Sequence, residues 1–420
     1  MKNSGIEWIG EIPDSWKLVN IGNVLKEHKQ ENKMLDTRAL QFKYGTIVPK
    51  KELNLTQDAL DILTKYNVVS PNIIMVNGLN LAFDFVTQRV ALVKENGVIT
   101  STYIALAPQE LIVPEYATYT LKAFDSQKVF HSLGRGLRCM LSYDVIKREK
   151  MPLPSLAVQR SIVNCLVQKL GEVDKLIEVQ QAQIDKLKEY KQSVITEAVT
   201  KGLDPTVPMK DVSSWMRRIP CNWFDPKIKY FCSIESGGTP ERTHPEYWNG
   251  DINWFKTGEL HNDEIFDSEE KITVKAIEET AAKIFPRNAI LVAMYGQGKT
   301  RGMTALLKKE SATNQACAAI QLKTKIYEVN YLWWVLKGAY NSLRERANGS
   351  GQPNLSVSLI NEFEISLPPL LEQQKIICYL DDKCAKIDKL IAIKQAKIDK
   401  LQEYKKSLIY EYVTGKKEVV

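Results

Sequence analysis

The chain contains one segment twice: residues 174–200 read DKLIEVQQAQIDKLKEYKQSVITEAVT, and residues 388–414 read DKLIAIKQAKIDKLQEYKKSLIYEYVT. At this offset of 214, 18 of the 27 positions are identical. In both copies apolar residues recur at alternating spacings of three and four, the period of helices that pack on one another. The repeat therefore predicts two long helices of about 40 residues, each about 60 Å long.

We expect these two helices to pair with each other, antiparallel, within one chain. Two homologous units joined by the short linker 203–210 can be related by a pseudo-two-fold axis, which sets like helices side by side in opposite directions. The alternative is a generic coiled coil between separate chains. The apolar residues assigned to the pairing seam are Leu166, Leu170, Ile177, Ile184, Leu187, Leu380, Ile387, Ile391, Ile398 and Leu401.

A second, weaker repeat precedes each of the two variable blocks. Ile12-Pro13 and Trp16 match Ile219-Pro220 and Trp223 at an offset of 207. The layout is a diverged globular block followed by a repeated helix, twice over. We predict globular domains at residues 1–152 and 222–366, helical regions at 153–202 and 367–415, a linker with the second leading motif at 203–221, and a tail at 416–420.

Composition places the chain among ordinary soluble globular proteins. Its 420 residues suit two to three domains, and 44% of them are hydrophobic and 25% charged. No run of about 18 uncharged apolar residues predicts a membrane helix. The seven cysteines never form CxxC, and with four scattered histidines they give no zinc spacing. We expect a cytoplasmic protein without a structural metal.

Both blocks mix short β-rich runs with short helices, which predicts α+β domains with mixed or antiparallel sheets. The clearest strand candidates are residues 72–76, 90–93 and 98–104 in the first block and 289–294, 304–307 and 316–322 in the second. Each block then ends in a more helical segment, near 119–133 and 331–347.

Basic and amide side chains cluster in loops of both blocks. Arginine and lysine suit phosphates and guanine edges, whereas asparagine and glutamine match the donor–acceptor pair of adenine. The net charge of +7 permits a polyanionic partner without requiring one, and the same residues also suit plain solvated loops. The candidate DNA contacts are Lys43, Tyr44, Asn77, Asn80, Arg135 and Arg138 in the first block and Lys256, Tyr295, Gln297, Lys299, Thr300, Arg301, Asn314, Gln315, Gln352 and Asn354 in the second.

Catalytic signatures are weak throughout the chain. Gly298-Lys299-Thr300 matches the last three residues of the phosphate-binding loop motif, but Ala293 stands where the first glycine of that motif is required. No Gly-x-Ser-x-Gly or His-Glu-x-x-His motif occurs. An enzyme built on the Gly298-Lys299-Thr300 loop remains an alternative hypothesis that ATP retention would support.

Several motifs together resemble the specificity subunit of type I restriction–modification systems, and the resemblance covers nearly the whole chain. They are the leading motif at residues 5–16 and its degraded copy at 215–223, the Ser236–Pro240 motif with residues 245–252, and the Gln352–Ser356 motif running into 365–373. The first block lacks the last two motifs, so the two blocks belong to different subclasses and contacts cannot be transferred between them.

This resemblance implies a non-catalytic DNA-specificity subunit. Each globular domain would recognise one half of a bipartite, asymmetric site in double-stranded DNA, and the paired helices would set the spacer. Two methylation subunits would dock on the repeated helices, and restriction subunits would join through that core. S-adenosylmethionine, ATP and Mg would belong to those partners, with no cofactor in this subunit. The alternatives are a coiled-coil scaffold and the specificity subunit of a methyltransferase-only complex.

Overall fold

The computed structural model describes residues 1–33, 36–43, 45–50, 56–85, 88–134, 139–296, 298–347 and 354–419. The chain divides into two compact units. Unit 1 comprises residues 1–181 and 395–420, and unit 2 comprises residues 182–394. Each unit thus holds one predicted globular domain together with part of each repeated helix, which is a different division from the six sequential segments expected from the sequence.

Unit 1 is built on short antiparallel pairings. Its central sheet has the strand order β4–β11–β8–β9, and β7 pairs with β10, β5 with β6, and β3 with β12. The strands are β1 Lys2–Asn3, β2 Glu11–Ile12, β3 Lys17–Asn20, β4 Leu25–Glu27, β5 Leu40–Lys43, β6 Thr46–Pro49, β7 Tyr66–Val69, β8 Ile74–Val76, β9 Val90–Leu92, β10 Gly97–Thr100, β11 Ile104–Pro108 and β12 Lys150–Leu153. The short helices are α1 Ile21–Val24, α2 Gln57–Thr64, α3 Pro114–Ser126, α4 Val129–Leu133 and α5 Tyr143–Ile146.

The run expected as one strand at 98–104 is broken into β10 and β11. The Thr100 hydroxyl lies 3.0 Å from the Thr102 hydroxyl and accepts from the Thr102 amide at 3.4 Å. The Tyr103 amide donates to the Thr100 carbonyl at 3.4 Å. These local bonds close a turn, because threonine side chains offer the backbone an alternative to the strand ladder.

The chain then enters α6, Leu156–Lys201, a helix of 46 residues. Unit 2 follows with two mixed sheets, ordered β15–β23–β20–β21–β17 and β18–β16–β22–β19. Its strands are β13 Met209–Asp211, β14 Arg218–Pro220, β15 Cys232–Ser236, β16 Trp248–Phe255, β17 Glu264–Ile265, β18 Glu270–Ile272, β19 Ile284–Phe285, β20 Ile290–Ala293, β21 Thr304–Leu307, β22 Ser311–Thr313 and β23 Cys317–Leu322. Its helices are α7 Val274–Glu279, α8 Val329–Gly338, α9 Tyr340–Glu345 and α10 Val357–Asn361, and α11, Leu370–Val413, spans 44 residues.

Within each unit, the segments of α6 and α11 run antiparallel, as the repeat predicts. In unit 1, Cys165 contacts Tyr412 and Asp174 pairs with Lys405, so numbers rise along α6 as they fall along α11. In unit 2, the Lys394 ammonium donates to Gln183 at 2.6 Å and Lys191 pairs with Asp388 at 2.7 Å.

The ten residues assigned to the seam are all at least half-buried. Leu166 and Leu380 are fully buried, and Ile184, Ile387 and Ile398 are nearly so. Ile177, Leu187, Ile391 and Leu401 keep partial exposure. This burial agrees with a seam of apolar side chains between two helices.

Two glutamines at equivalent positions of the repeat clamp the globular parts to the helices. Gln159 accepts from the Val113 amide at 2.8 Å and donates to the carbonyls of Leu111 and Pro154. Gln373 accepts from the Glu328 amide at 2.8 Å and donates to the Ile326 and Pro368 carbonyls. Both side chains are fully buried, and each amide satisfies three backbone groups, so the repeat extends into α3 and α8.

Candidate nucleic-acid interface

The parallel strands β16 and β22 end side by side, which brings Lys256 and Asn314 together at one edge of unit 2, the edge at the carboxyl ends of these strands. Strand β16 pairs with β22 in the register Phe255 to Thr313, and each predicted contact residue follows its strand directly. The Asn314 amide donates to the Phe255 carbonyl at 3.0 Å. Its side-chain oxygen accepts from the Ala316 amide at 3.1 Å, which orients the carboxamide.

The Ser236–Pro240 motif lies against the same edge. The Thr239 hydroxyl donates to the Gln315 side-chain oxygen. A Cβ at Gly237 would lie 2.0 Å from the Thr313 carbonyl, and one at Gly238 would lie 2.3 Å from the Ala281 carbonyl. The two glycines are therefore required because the backbone approaches its neighbours too closely for any side chain.

The loop between β20 and β21 adds Tyr295 to this group. The Met294 amide donates to the Ala316 carbonyl at 2.8 Å, and the Leu355 amide donates to the Met294 carbonyl at 3.0 Å. The structure thereby brings Tyr295, residues 314–316 and Asn354 together, although they are far apart in sequence. Tyr295 is exposed and Asn354 is half-buried.

Lys299, Thr300 and Arg301 lie on the same loop, whose backbone is anchored from α9. Arg344 donates to the Arg301 and Gly298 carbonyls, both at 2.7 Å. The Tyr340 hydroxyl donates to the Lys299 carbonyl at 2.7 Å. Lys299 keeps an exposed side chain on a fixed backbone. Sequence reasoning missed Arg344 and Tyr340, because nothing local connects them to the loop.

Lys256 is already engaged with carboxylates. Its ammonium group lies 3.0 Å from Glu269 and 3.1 Å from Glu270, and these hydrogen bonds raise its pKa. Arg242, which was not among the predicted contacts, pairs with Glu270 at 2.7 Å. This edge of unit 2 therefore carries a connected set of ion pairs rather than bare cations.

In unit 1, Asn77 and Asn80 lie in a loop organised by Arg89. The Arg89 guanidinium is fully buried and donates to the carbonyls of Asn77 at 3.1 Å, Leu79 at 2.7 Å and Asp84 at 2.6 Å. The loop also exposes 84% of Phe83. Buried charge is costly unless it is paired and hydrogen-bonded, so Arg89 fixes this loop firmly. Sequence reasoning missed Arg89, because nothing local marks a single arginine beside the apolar strand β9.

Lys43 ends β5, and the Thr46 hydroxyl at the start of β6 donates to the Lys43 carbonyl at 2.7 Å. The remaining predicted contacts lie outside the described residues. They are Tyr44, Arg135, Arg138, Gln297 and Gln352.

Across the described part of the chain, histidine, cysteine and acidic side chains form no group that could hold a metal ion. No described helix combines the length and hydropathy that crossing a membrane requires.

The known proteins to which this chain is similar are specificity subunits of type I restriction enzymes. A family model for the type I restriction modification DNA specificity domain matches residues 220–403. The MjaIX specificity subunit of Methanocaldococcus jannaschii is 35% identical over 173 residues, which is 39% of this chain and 39% of that protein. The MjaVIII specificity subunit of the same organism is 24% identical over 421 residues, covering 96% of this chain and 93% of its own length.

A solved structure shares the fold of nearly the whole chain. It comes from work on complex assembly and conformational transition of the type I R-M system, and its TM-score is 0.69 at 16% sequence identity. The match covers 96% of this chain and 98% of that one. The likeness establishes the architecture of two globular parts and long helices.

Proposed function

We propose that this chain is a specificity subunit of a type I restriction–modification system and selects the DNA site that its complex modifies. In this proposal residues 1–152 and 222–366 each read one half of a bipartite, asymmetric site in double-stranded DNA. The chain itself performs no catalysis.

The observation that carries the proposal is the pair of glutamine clamps. Gln159 and Gln373 hold the two globular parts to the helices through equivalent hydrogen bonds. The parts that they hold differ: unit 1 has an antiparallel central sheet, whereas unit 2 has parallel pairings of β16 with β22 and β17 with β21. A repeated attachment to the helices, combined with two different globular parts, fits a protein that recognises two different half-sites.

In this proposal the affinity for DNA comes from the simultaneous binding of both half-sites by one chain. Two weak readers on one chain bind tightly only when both half-sites stand at the separation that the linkage allows. Base-edge contacts in the major groove distinguish all four base pairs, and loops at the edge of unit 2 offer lysine, asparagine and glutamine side chains for that purpose.

We further propose that two methylation subunits dock on the helices, one on each unit, and that restriction subunits join through them. Each unit exposes three similar apolar side chains at equivalent repeat positions. In unit 1 these are Leu176, Val179 and Tyr404, exposed by 48%, 50% and 49%; in unit 2 they are Leu390, Ile393 and Tyr190, exposed by 47%, 56% and 48%. Matching apolar groups on a polar helix surface suit two copies of one protein partner. S-adenosylmethionine, ATP and Mg are assigned to those partners.

Mapping methylated adenine across the genome, with and without this gene, tests the proposal. We expect one bipartite motif to lose methylation when the gene is deleted and to regain it on complementation. A methylome that is unchanged while the partner methyltransferase is expressed would contradict the proposal. Recovery of restriction subunits with the purified complex would separate a full restriction system from a methyltransferase-only complex.

A further inference from the structure

We propose that Arg242 is a specificity-determining residue that reads a guanine in the half-site bound by unit 2. The inference rests on the proposed function and adds a residue that carries sequence information. Its basis is a guanidinium group that is exposed, held in one plane and placed beside the candidate contacts of unit 2.

Two tryptophans fix the plane of this guanidinium. Arg242 lies over the Trp248 ring with its central carbon 4.1 Å from the ring centroid, and 5.6 Å from that of Trp254. The two indoles meet edge to face at 5.2 Å and 89°. Arginine stacks on aromatic faces because its guanidinium is planar and weakly hydrated. The stack therefore removes rotational freedom that a solvated arginine would lose on binding.

The tryptophans are themselves held in place. The Trp254 indole is nearly fully buried and donates to the Gly238 carbonyl at 2.9 Å. The Trp248 indole donates to the Glu241 carbonyl at 3.2 Å. Both bonds reach the segment that contains Arg242 and the Ser236–Pro240 motif, so the stack is tied to the same edge as Thr239 and Gln315.

Glu270 adds an ion pair to the stacked guanidinium. The carboxylate lies 2.7 Å from Arg242 and 3.1 Å from the Lys256 ammonium. Burial acts to raise the pKa of the Glu270 carboxyl, but the hydrogen bonds from Lys256 and Arg242 outweigh it and lower the pKa. An ionised Glu270 thus attracts the Arg242 guanidinium by charge, while 59% of the Arg242 side chain stays exposed.

A fixed arginine fork matches one base. The guanidinium carries only donors, and guanine presents two acceptors, N7 and O6, on its major-groove edge. Adenine presents one acceptor beside a donor, which the fork would oppose. A phosphate contact needs no such fixed plane, because phosphate oxygens accept from many directions. The combination of stacking and carboxylate support therefore favours base readout.

Methylome mapping of cells carrying Arg242→Ala tests this inference. We expect a single guanine position of the unit 2 half-site to become degenerate, while every other position of the motif stays unchanged. Arg242→Lys keeps the charge but loses the fork, and we expect it to relax the same position. The matched control is Arg287→Ala, an exposed arginine before β20, at the opposite end of that strand from Met294.

Binding by the purified complex gives a second readout. Replacing the assigned guanine by 7-deazaguanine removes N7, and we expect the wild-type complex to lose roughly ten- to hundredfold in affinity. The Arg242→Ala complex should show no further loss on the modified duplex. Two results would overturn the inference and indicate a phosphate contact or a structural ion pair. One is a uniform loss of methylation in Arg242→Ala cells while the motif stays unaltered. The other is that the affinity losses caused by Arg242→Ala and by 7-deazaguanine add together. Absence of any motif that depends on the gene would instead refute the proposed function.

Discussion

The Lys191 ammonium lies 2.7 Å from the Asp388 carboxylate, joining α6 to α11 in unit 2. The repeat-equivalent residues, Asp174 and Lys405, form the same ion pair with the roles exchanged between the helices of unit 1. The same register of the repeated segment therefore occurs in both units, and in each unit one lysine–aspartate pair matches it.

Reversing one of these pairs measures its contribution to register. We expect Asp388→Lys to lower the free energy of unfolding, because two lysines would then face each other. The decrease should be about 1 kcal/mol or less, since exposed ion pairs contribute little. The double variant Lys191→Asp with Asp388→Lys should recover most of the loss. A double variant as unstable as the single one would show that the two side chains do not interact. Lys201→Ala, which breaks an exposed pair with Glu197 within α6, is the control.

Removing the Gln373 side-chain amide should destabilise unit 2 locally, at the start of α8. Gln373→Leu leaves the Glu328 amide and the Ile326 and Pro368 carbonyls without their partner, which costs roughly 2–4 kcal/mol. Hydrogen exchange at the start of α8 should accelerate, while α3 in unit 1 stays protected.

The neighbouring Gln374→Leu is the matched control for that substitution. Gln374 is exposed and makes one 3.2 Å bond to the Glu328 side chain, so we expect no change in exchange. Equal effects of the two substitutions would contradict the role of the clamp.

Charge reversal at Lys299 tests local readout by unit 2. We expect Lys299→Glu to weaken binding roughly tenfold on duplexes with an intact unit 2 half-site, because it replaces a hydrogen-bond donor to base-edge acceptors of that half-site by an acceptor. On duplexes with that half-site scrambled, the variant should match the wild type. Lys325→Glu, in the exposed loop after β23, is the control. An equal loss with either half-site scrambled would argue against local readout.

The helices are proposed to set the spacer between the half-sites. Residues Gln183 and Lys394 lie opposite each other, bonded at 2.6 Å. Inserting four residues after Ile184 and four after Lys394 adds one turn, about 6 Å, to both helices, which corresponds to ~2 base pairs. Methylome mapping should show a longer spacer with unchanged half-sites. An altered half-site sequence would contradict the proposal, and the same insertion after Lys417 should change nothing.

A pH dependence is expected from Glu362. Hydrogen bonds from Lys227 and Lys229 hold the pKa of its carboxyl at about 2, below the ordinary 4.5. Because the folded-state pKa is lowered, the pair stabilises the fold above pH 4.5, and this contribution is lost as the pH falls through about 2. The melting temperature of Glu362→Gln should therefore fall less steeply below pH 4.5 than that of the wild type. Exposed Glu345→Gln should behave as the wild type does.

Much of the architecture was predictable, because paired helices require apolar residues at regular spacings of three and four in the sequence. The seam, the antiparallel pairing within one chain and the α+β class of the globular parts all follow from spacing and repetition. The candidate DNA contacts Tyr295, Lys299 and Asn314 stay a prediction, based on the concentration of lysine, asparagine and glycine in the loops that end strands.

The supporting residues were not predictable. Arg242, Arg344 and Arg89 act on segments whose proximity depends on sheet pairing, and an arginine in a sequence does not reveal whether it is stacked, anchored or buried. The break between β10 and β11 was missed for a related reason, because side-chain bonds of Thr100 and Thr102 outweigh the β propensity of the run.

The sequence by itself determined the duplicated helices, the division into diverged globular blocks and the resemblance to one family, since each follows from local spacing and repeated motifs. Only the tertiary structure decided which residues share an edge: parallel β16 and β22 end together, and Gly237 and Gly238 let the backbone close on that edge. Such juxtapositions arise from contacts distant in sequence, and their energies depend on geometry that residue order does not encode.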